Sequence, residues 1–229
     1  MSVGVIIVAA GSSQRMLDKN LVPLDKIFAE LGGKPIISYS LDVFNECSFI
    51  VEIVLVVGEH NLEQGCRLIA GGSWSKVSNI CLGGATRTDS VISGIKKLGE
   101  CDIVMIHDGA RPFITQDMIE NGLTAVKITG SAIPVILIKD TVKQVEQTVV
   151  QHTIPKDSLV LAQTPQIFQL DIIREAIHLV SHAVTDDSAL VESIGREVVS
   201  FLGDENNIKI TTPFDMKLAE LILRHKSGM

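Results

Sequence analysis

Short runs rich in valine and isoleucine, mostly apolar at consecutive positions, recur along this chain with stretches of helical period between them. Residues 5–8, 51–57, 77–82, 103–106 and 132–138 are runs of strand length. A strand that turns apolar side chains to both faces must be covered on both, and in parallel sheets helices do this. Residues 35–44, 62–70, 88–98 and 116–127 have the period of helices. In the last of these Met118, Ile119, Leu123 and Val126 share one face, and Thr115 suits the N-cap. The alternation predicts right-handed βαβ units and an α/β fold: a mainly parallel sheet with helices on both faces.

One stretch departs from that rhythm. Over residues 139–153, polar and β-branched residues alternate around Glu146 and Gln147, which reads as a two-stranded excursion from the sheet. Beyond it the pattern predicts a helix over about 169–182, a short helix over 187–193 and a strand over 197–201. Lys209 falls on a short predicted strand. A last helix follows, with Thr212 as N-cap, Pro213 at its first position, Asp215 in the first turn, and Leu218, Leu221 and Ile222 inward. No repeat, charge block or linker divides the chain, so residues 1–229 read as one domain.

Charge and composition remove several functions. Lys+Arg 20 against Asp+Glu 27 gives a net charge of −7, which argues against nucleic acid or an anionic membrane as partner. Aromatic content of 4% weakens any reading built on base stacking. Cys47, Cys66, Cys81 and Cys101 are irregularly spaced with no C-x-x-C pair, the usage of free thiols in a reducing cytosol. The apolar start lacks a basic flank and runs straight into Gly11 and Arg15, unlike a signal peptide. No stretch reaches the roughly 18 apolar residues of a membrane span. A soluble cytoplasmic protein is expected.

Four segments could carry chemistry. Ala9-Ala10-Gly11-Ser12-Ser13-Gln14-Arg15-Met16 follows the first strand, where exposed backbone N–H groups can hold a polyphosphate and Arg15 adds fixed donors. It is neither a dinucleotide fingerprint nor a P-loop, and an ordinary βα turn with a surface arginine explains it as well. Ile106-His107-Asp108-Gly109-Ala110-Arg111-Pro112 puts Asp108 at a strand's carboxyl end, where open α/β sheets bind ligands. A carboxylate there suits Mg²⁺, although a structural ion pair with the arginine is equally compatible. His107 reads as a packed residue rather than a zinc ligand, because nothing nearby completes a set. Gly83-Gly84-Ala85-Thr86-Arg87-Thr88-Asp89-Ser90-Val91 is a glycine pair leading into a helix, suited to a base or a phosphate or else a plain helix start capped by Thr86 or Thr88. The segment over residues 206–213, with Lys209, says little by itself.

The order of these segments says more. A-A-G-x-x-x-R-M at 9–16, K-x-F-x-x-L-x-G-K-P at 26–35, G-G-x-x-R-x-x-S-V at 83–91 and H-D-x-A-R-P at 107–112 occur in succession. K-D-T-V-K at 139–143, Q-T-P-Q-x-F at 163–168, T-D-D at 185–187 and N-I-K-x-T-x-P at 207–213 follow. In these motifs, nearly end to end, the chain resembles the 2-C-methyl-D-erythritol 4-phosphate cytidylyltransferases of the non-mevalonate isoprenoid pathway. The resemblance implies a Rossmann-like nucleotidyltransferase sheet with a protruding two-stranded dimerisation arm, a homodimer, Mg²⁺ or another divalent cation, and CTP and a sugar-alcohol phosphate as substrates. It implies that Arg15, Lys26 and Lys209 act at the reacting phosphates and that Asp108 holds the metal. By the same resemblance Ala10, Gly11, Ser12 and Ser13 wrap the triphosphate, while Gly83, Gly84, Arg87 and Ser90 frame cytosine and ribose. Lys156, Arg111, Thr141, Thr164 and Thr185 would line the acceptor pocket.

Three departures from the family pattern stand out. Ser13 replaces a usual second glycine. Nine residues separate Met16 from Lys26, and Lys26 rather than Lys19 is in phase with Phe28, Leu31, Gly33, Lys34 and Pro35. Lys156 stands where the family usually has arginine, keeping the charge but not the two-pronged grip. The rival readings are a ribitol-5-phosphate cytidylyltransferase and a non-catalytic nucleotide-binding protein.

Overall fold

The computed structural model describes residues 1–11, 26–180 and 184–226. Its strands are β1 (Val3–Ala9), β2 (Glu30–Leu31), β3 (Lys34–Pro35), β4 (Ile50–Val57), β5 (Val77–Leu82) and β6 (Ile103–Asp108). They continue with β7 (Ser131–Leu137), β8 (Val142–Glu146), β9 (Val149–Ile154), β10 (Val160–Ala162), β11 (Gln166–Gln169) and β12 (Val199–Leu202). The helices are α1 (Ile36–Glu46), α2 (Leu62–Gly71), α3 (Arg87–Lys97), α4 (Gln116–Thr129), α5 (Leu170–Leu179), α6 (Asp187–Ser193) and α7 (Pro213–Lys226).

The main sheet runs β5-β4-β1-β6-β11-β7-β10, and β12 also pairs with β7. β1, β4, β5 and β6 are parallel, whereas β11 lies antiparallel between β6 and β7. Alternate residues serve opposite faces, as the pleat requires. Val5, Ile7, Leu55 and Met105 pack with Ile37, Leu41 and Phe44 of α1 and with Ile119 and Leu123 of α4. Ile6, Val54, Val56, Val104 and Ile106 pack with α3, α5 and α6 through Val91, Ile95, Ile173 and Leu190. These side chains are fully or nearly fully buried, each contributing roughly 1.5–3 kcal/mol of transfer free energy.

From β1 the chain steps outward through β4 to β5, then returns to place β6 on the other side of β1. β1 and β6 therefore form a topological switch point, and the crevice at their carboxyl ends is the usual ligand site of such sheets. Ala10 and Asp108 stand at its two lips.

Local chemistry sets the helix ends. Thr86, not Thr88, caps α3: its Oγ1 accepts the Asp89 N–H at 3.0 Å, and Asp89 Oδ2 accepts the Thr86 N–H at 3.0 Å. Thr115 caps α4 as expected, accepting the Met118 N–H at 3.3 Å. Thr212 and Asp215 close the same reciprocal pair at the start of α7.

Several expectations need correction. Leu221 does not face inward; it is 60% exposed. The β2–β3 hairpin decides which face of α7 is buried. Its Gly32 and Gly33 turn at φ 59° and 88°, and a Cβ on Gly32 would sit 2.3 Å from Leu223 Cδ2. Met216, Ala219, Ile222 and Leu223 thus pack toward Leu31, Ile36 and Phe113. Lys209 is not on a strand: Asn207 N–H turns back to the Asp204 carbonyl, and among the described residues of this segment Ile210 alone bonds across, to Ala110 O at 2.9 Å. α5 ends at Leu179, and residues 181–183, the rest of the helix expected to 182, lie outside the described ones.

β8 and β9 form the expected excursion. Among the described residues they pair only with each other, reversing between Glu146 and Val149, and leave Val145, Val149 and Val150 exposed. Among the described residues no helix is long and apolar enough to cross a membrane.

Candidate active site

Asp108 is the last residue of β6, in register with Val8 of β1. Both its oxygens meet cations. Arg87 Nε donates to Oδ1 at 3.3 Å, while Lys209 Nζ lies 2.8 Å and Arg111 Nε 3.6 Å from Oδ2. Burial alone would raise this carboxyl; Lys209, Arg87 and Arg111 together hold it well below the usual carboxylate range. Arg87 in turn meets a second carboxylate through NH1, 2.8 Å from Asp187 Oδ1. Burial pushes the Asp187 carboxyl up, against the pull of Arg87.

The backbone at Asp108 is held by a separate set of bonds. Its N–H donates to Thr164 Oγ1 at 3.0 Å, and the same hydroxyl faces His107 Nδ1 at 3.2 Å. His107 Nε2 lies 3.0 Å from the Arg111 carbonyl. A carbonyl can only accept, so Nε2 carries the proton and Nδ1 accepts from Thr164. The imidazole is neutral, burial having pushed its pKa down to about 4. His107 is a packed residue, as expected.

The glutamines of the Q-T-P-Q segment explain how distant loops converge. Gln163 Nε2 donates to the Asp204 carbonyl at 2.8 Å, and its Oε1 accepts the Asp204 N–H at 3.2 Å, anchoring the loop that carries Lys209. Asn207 Nδ2 donates to Thr164 O at 2.9 Å, and Arg111 NH1 donates to Asn207 O at 2.7 Å. Gln166 Nε2 donates to Asp186 Oδ2 at 2.8 Å, and its Oε1 accepts the Ser188 N–H at 2.9 Å.

A cleft of about 450 Å³ opens above these groups. Ala10 and Gly11 line one side, Gly84, Arg87 and Ser90 another, with Lys26, Asp108 and Lys209 completing the wall. Gly83 lies just behind. A Cβ there would meet Ala10 Cβ at 2.4 Å and Ser90 Oγ at 2.6 Å, so only glycine lets the two loops touch. Ser90 Oγ accepts the Gly84 N–H at 3.2 Å and donates to Thr86 O at 3.0 Å, which shapes the glycine loop.

Other expected residues stand apart from the cleft lining. Thr164 is buried beside Asp108 and Arg111 is half-buried; Thr164 Oγ1 and Arg111 NH1 bond to protein partners, while Arg111 Nε makes no hydrogen bond among the described residues. Thr141, Lys156 and Thr185 are exposed, and Lys156 Nζ donates to the Lys139 carbonyl at 2.7 Å at the root of the β8–β9 hairpin. Ser12, Ser13, Arg15 and Lys19 lie outside the described residues. Sequence reasoning assigned no role to Asp187 or Asn207. Both sat inside quoted motifs, but nothing in the linear order says what each touches.

Three cations, Arg87, Arg111 and Lys209, outnumber Asp108 and Asp187. Such a crevice attracts a polyphosphate. Among the described residues no three His, Cys, Asp or Glu side chains form a metal cage. Mg²⁺ needs none, taking one or two carboxylates and otherwise waters and phosphates, so an ionised Asp108 in the cleft wall fits it.

The family model described as IspD, 2-C-methyl-D-erythritol 4-phosphate cytidylyltransferase, matches residues 3–225. The protein of that name from Dehalococcoides mccartyi is 45% identical over 223 residues, 97% of this chain and 96% of its own. That of Clostridium perfringens is 41% identical, covering 94% of this chain and 96% of its own. Among solved structures, the 4-diphosphocytidyl-2C-methyl-D-erythritol synthase of Anaerococcus prevotii has a TM-score of 0.85 at 29% identity, with 97% of this chain and 96% of that one covered. The 2-C-methyl-D-erythritol 4-phosphate cytidylyltransferase of Thermus thermophilus has a TM-score of 0.77 at 28% identity, with 98% and 100% covered. A sheet of this topology, a cationic cleft at its switch point and these likenesses along nearly the whole chain show that it belongs to the 2-C-methyl-D-erythritol 4-phosphate cytidylyltransferase family.

Proposed function

We propose that the cleft between β1 and β6 is where CMP passes from CTP to 2-C-methyl-D-erythritol 4-phosphate, giving 4-diphosphocytidyl-2-C-methyl-D-erythritol and pyrophosphate. The observation that carries this reading is Asp108, ionised among Arg87, Arg111 and Lys209 in the wall of a cationic cleft, on a chain matched to the family over residues 3–225. An oxygen of the acceptor phosphate attacks the α-phosphorus in line. The new P–O bond forms as the bond to the bridging oxygen breaks, and that electron pair leaves on pyrophosphate. A phosphate dianion needs no general base, so the protein's share is positioning and charge.

Lys26, in the cleft wall, and Arg15 would stabilise charge on the five-coordinate phosphorus, while Lys209 would place the attacking phosphate. Gly83, Gly84 and Ser90 would frame base and ribose. Asp108 would hold Mg²⁺, which supplies Lewis-acid stabilisation to the triphosphate oxygens. The β8–β9 hairpin would cross to a second copy and bring Thr141 and Lys156 to the partner's acceptor pocket. Exposed Val145, Val149 and Val150 on the hairpin, with Leu137, Leu161 and Leu202 on the nearby sheet edge, support such a homodimer. Free cysteines support a reducing, cytoplasmic setting.

Two measurements test this reading. Pyrophosphate release from CTP should stop in excess chelator and return with Mg²⁺; full turnover in chelator would refute the role of Asp108. Mixing Lys156→Ala with Arg15→Ala should regain activity once subunits exchange, because each mixed dimer holds one intact site. Mixed dimers, verified by mass, that stay inactive would show that Lys156 serves its own subunit.

A further inference from the structure

We propose that Asp187 is a positioning residue, holding Arg87 in a bridging pose that leaves Asp108 available to Mg²⁺ and the triphosphate. The proposal rests on the reading of Asp108 given above. Arg87 opens α3 and reaches two carboxylates at once. Its closer contact, NH1 to Asp187 Oδ1 at 2.8 Å, faces away from the crevice; its longer one, Nε to Asp108 Oδ1 at 3.3 Å, faces into it. A guanidinium beside one carboxylate tends to pair with both oxygens. Here Asp108 receives a single long bond from Arg87.

Asp187 also stands in the first turn of α6, where a carboxylate suits the helix N-terminus. It does not line the cleft, it is 1% exposed, and its Oδ2 is buried without a hydrogen-bond partner among the described residues. A buried carboxylate with one oxygen unpaired is an expensive choice where a neutral amide would serve packing. Its place is also set with care. Gln166 holds both neighbours of Asp187, the Asp186 side chain through Oδ2 and the Ser188 backbone through its N–H, and Asp186 Oδ1 caps α6 through the Ala189 N–H at 3.2 Å. Gln166 stands in register with Ile106 on β6, two residues before Asp108. One strand pairing therefore fixes Asp187 and Asp108 relative to each other, with Arg87 between them.

Asp187→Asn keeps shape and removes the charge that holds Arg87, which should then turn fully onto Asp108. The readout is the CTP dissociation constant by equilibrium dialysis, in Mg²⁺ and in EDTA, for the full-length chain. The gain in CTP affinity that Mg²⁺ brings to the wild type should shrink about ten- to a hundredfold, the scale of a charge-assisted bond. Arg87→Met should abolish the effect of adding Asp187→Asn, since Asp187 acts only through Arg87. Should Asp187→Asn not fold, Arg87→Lys, with charge but no fork, should lose the same Mg²⁺ gain. An Asp187→Asn protein that melts earlier yet keeps the full Mg²⁺ gain, or whose loss adds to that of Arg87→Met, overturns the proposal alone. A wild type whose CTP affinity ignores Mg²⁺ overturns the metal reading of Asp108 and this proposal with it.

Discussion

Thr164→Val removes one hydroxyl at a site only 5% exposed and leaves the side chain's shape almost unchanged. That hydroxyl accepts the Asp108 N–H at 3.0 Å and donates to His107 Nδ1 at 3.2 Å. Valine strands both groups in a site water does not reach, and each buried group left unpaired costs about 1–3 kcal/mol. Because the two share one cavity and partial relaxation is open to both, the expected loss is about 2–4 kcal/mol out of a total stability of about 5–15. Urea unfolding reads this as a lower midpoint with an unchanged slope. Thr164→Ser keeps the hydroxyl and loses one methyl, about 1 kcal/mol. The valine variant should also lose kcat, since the backbone that aims Asp108 is no longer tied, whereas the serine variant should not. A Thr164→Val protein with wild-type stability and a raised KM for the acceptor would refute the anchoring role. The hydroxyl would then be an acceptor contact, as the family resemblance implies.

Three further expectations are open to direct measurement. His107 has a folded pKa of about 4 against an ordinary 6.5, so the unfolded chain binds a proton the folded one refuses; about 3 kcal/mol of stability, present above pH 6.5, should drain away as pH falls toward 4. His107→Gln should flatten that slope in urea midpoints, and an unchanged slope would assign it to other groups. Gly83→Ala drives a methyl to 2.4 Å from Ala10 Cβ, and the loops must part; CTP affinity by calorimetry should fall about tenfold or more, and unchanged binding would show that their contact is dispensable. Lys26→Ala should lower kcat far more than it raises either KM, with Lys19→Ala nearly silent; the reverse pattern would assign the catalytic lysine to the longer first loop.

The parallel half of the sheet could be read directly from the chain, because β1, β4 and β6 are buried on both faces and their apolar runs are continuous. β10 and β11 could not. They are three and four residues long, so no run reaches the length at which a period shows. The β2–β3 hairpin was hidden for the same reason, and with it the surface that decides which face of α7 is buried. Leu221 then looked inward by spacing alone. At the site, Asp108, Lys209 and Arg87 were legible as charged residues at loop and strand ends. Their mutual contacts were not, since Arg87 and Asp187 lie a hundred residues apart and meet only because Gln166 joins α6 to β11. The family resemblance places Arg111 and Thr164 at the acceptor pocket; in this chain their hydrogen bonds run to Asn207 and to Asp108 and His107. A motif records which residue types recur together, and several geometries satisfy the same spacing.

In the proposed function, an ionised Asp108 at the switch point of this sheet serves cytidylyl transfer to a methylerythritol phosphate. Phosphorus NMR on CTP and Mg²⁺, with 2-C-methyl-D-erythritol 4-phosphate or ribitol 5-phosphate added to wild type and Asp108→Asn, tests it most directly. The expected result is a diphosphate diester and pyrophosphate in equal amounts, from the methylerythritol acceptor and the wild type, with turnover falling at least a hundredfold in Asp108→Asn, roughly 3 kcal/mol of transition-state stabilisation. Product from ribitol 5-phosphate in preference, or equal turnover by Asp108→Asn, would contradict it.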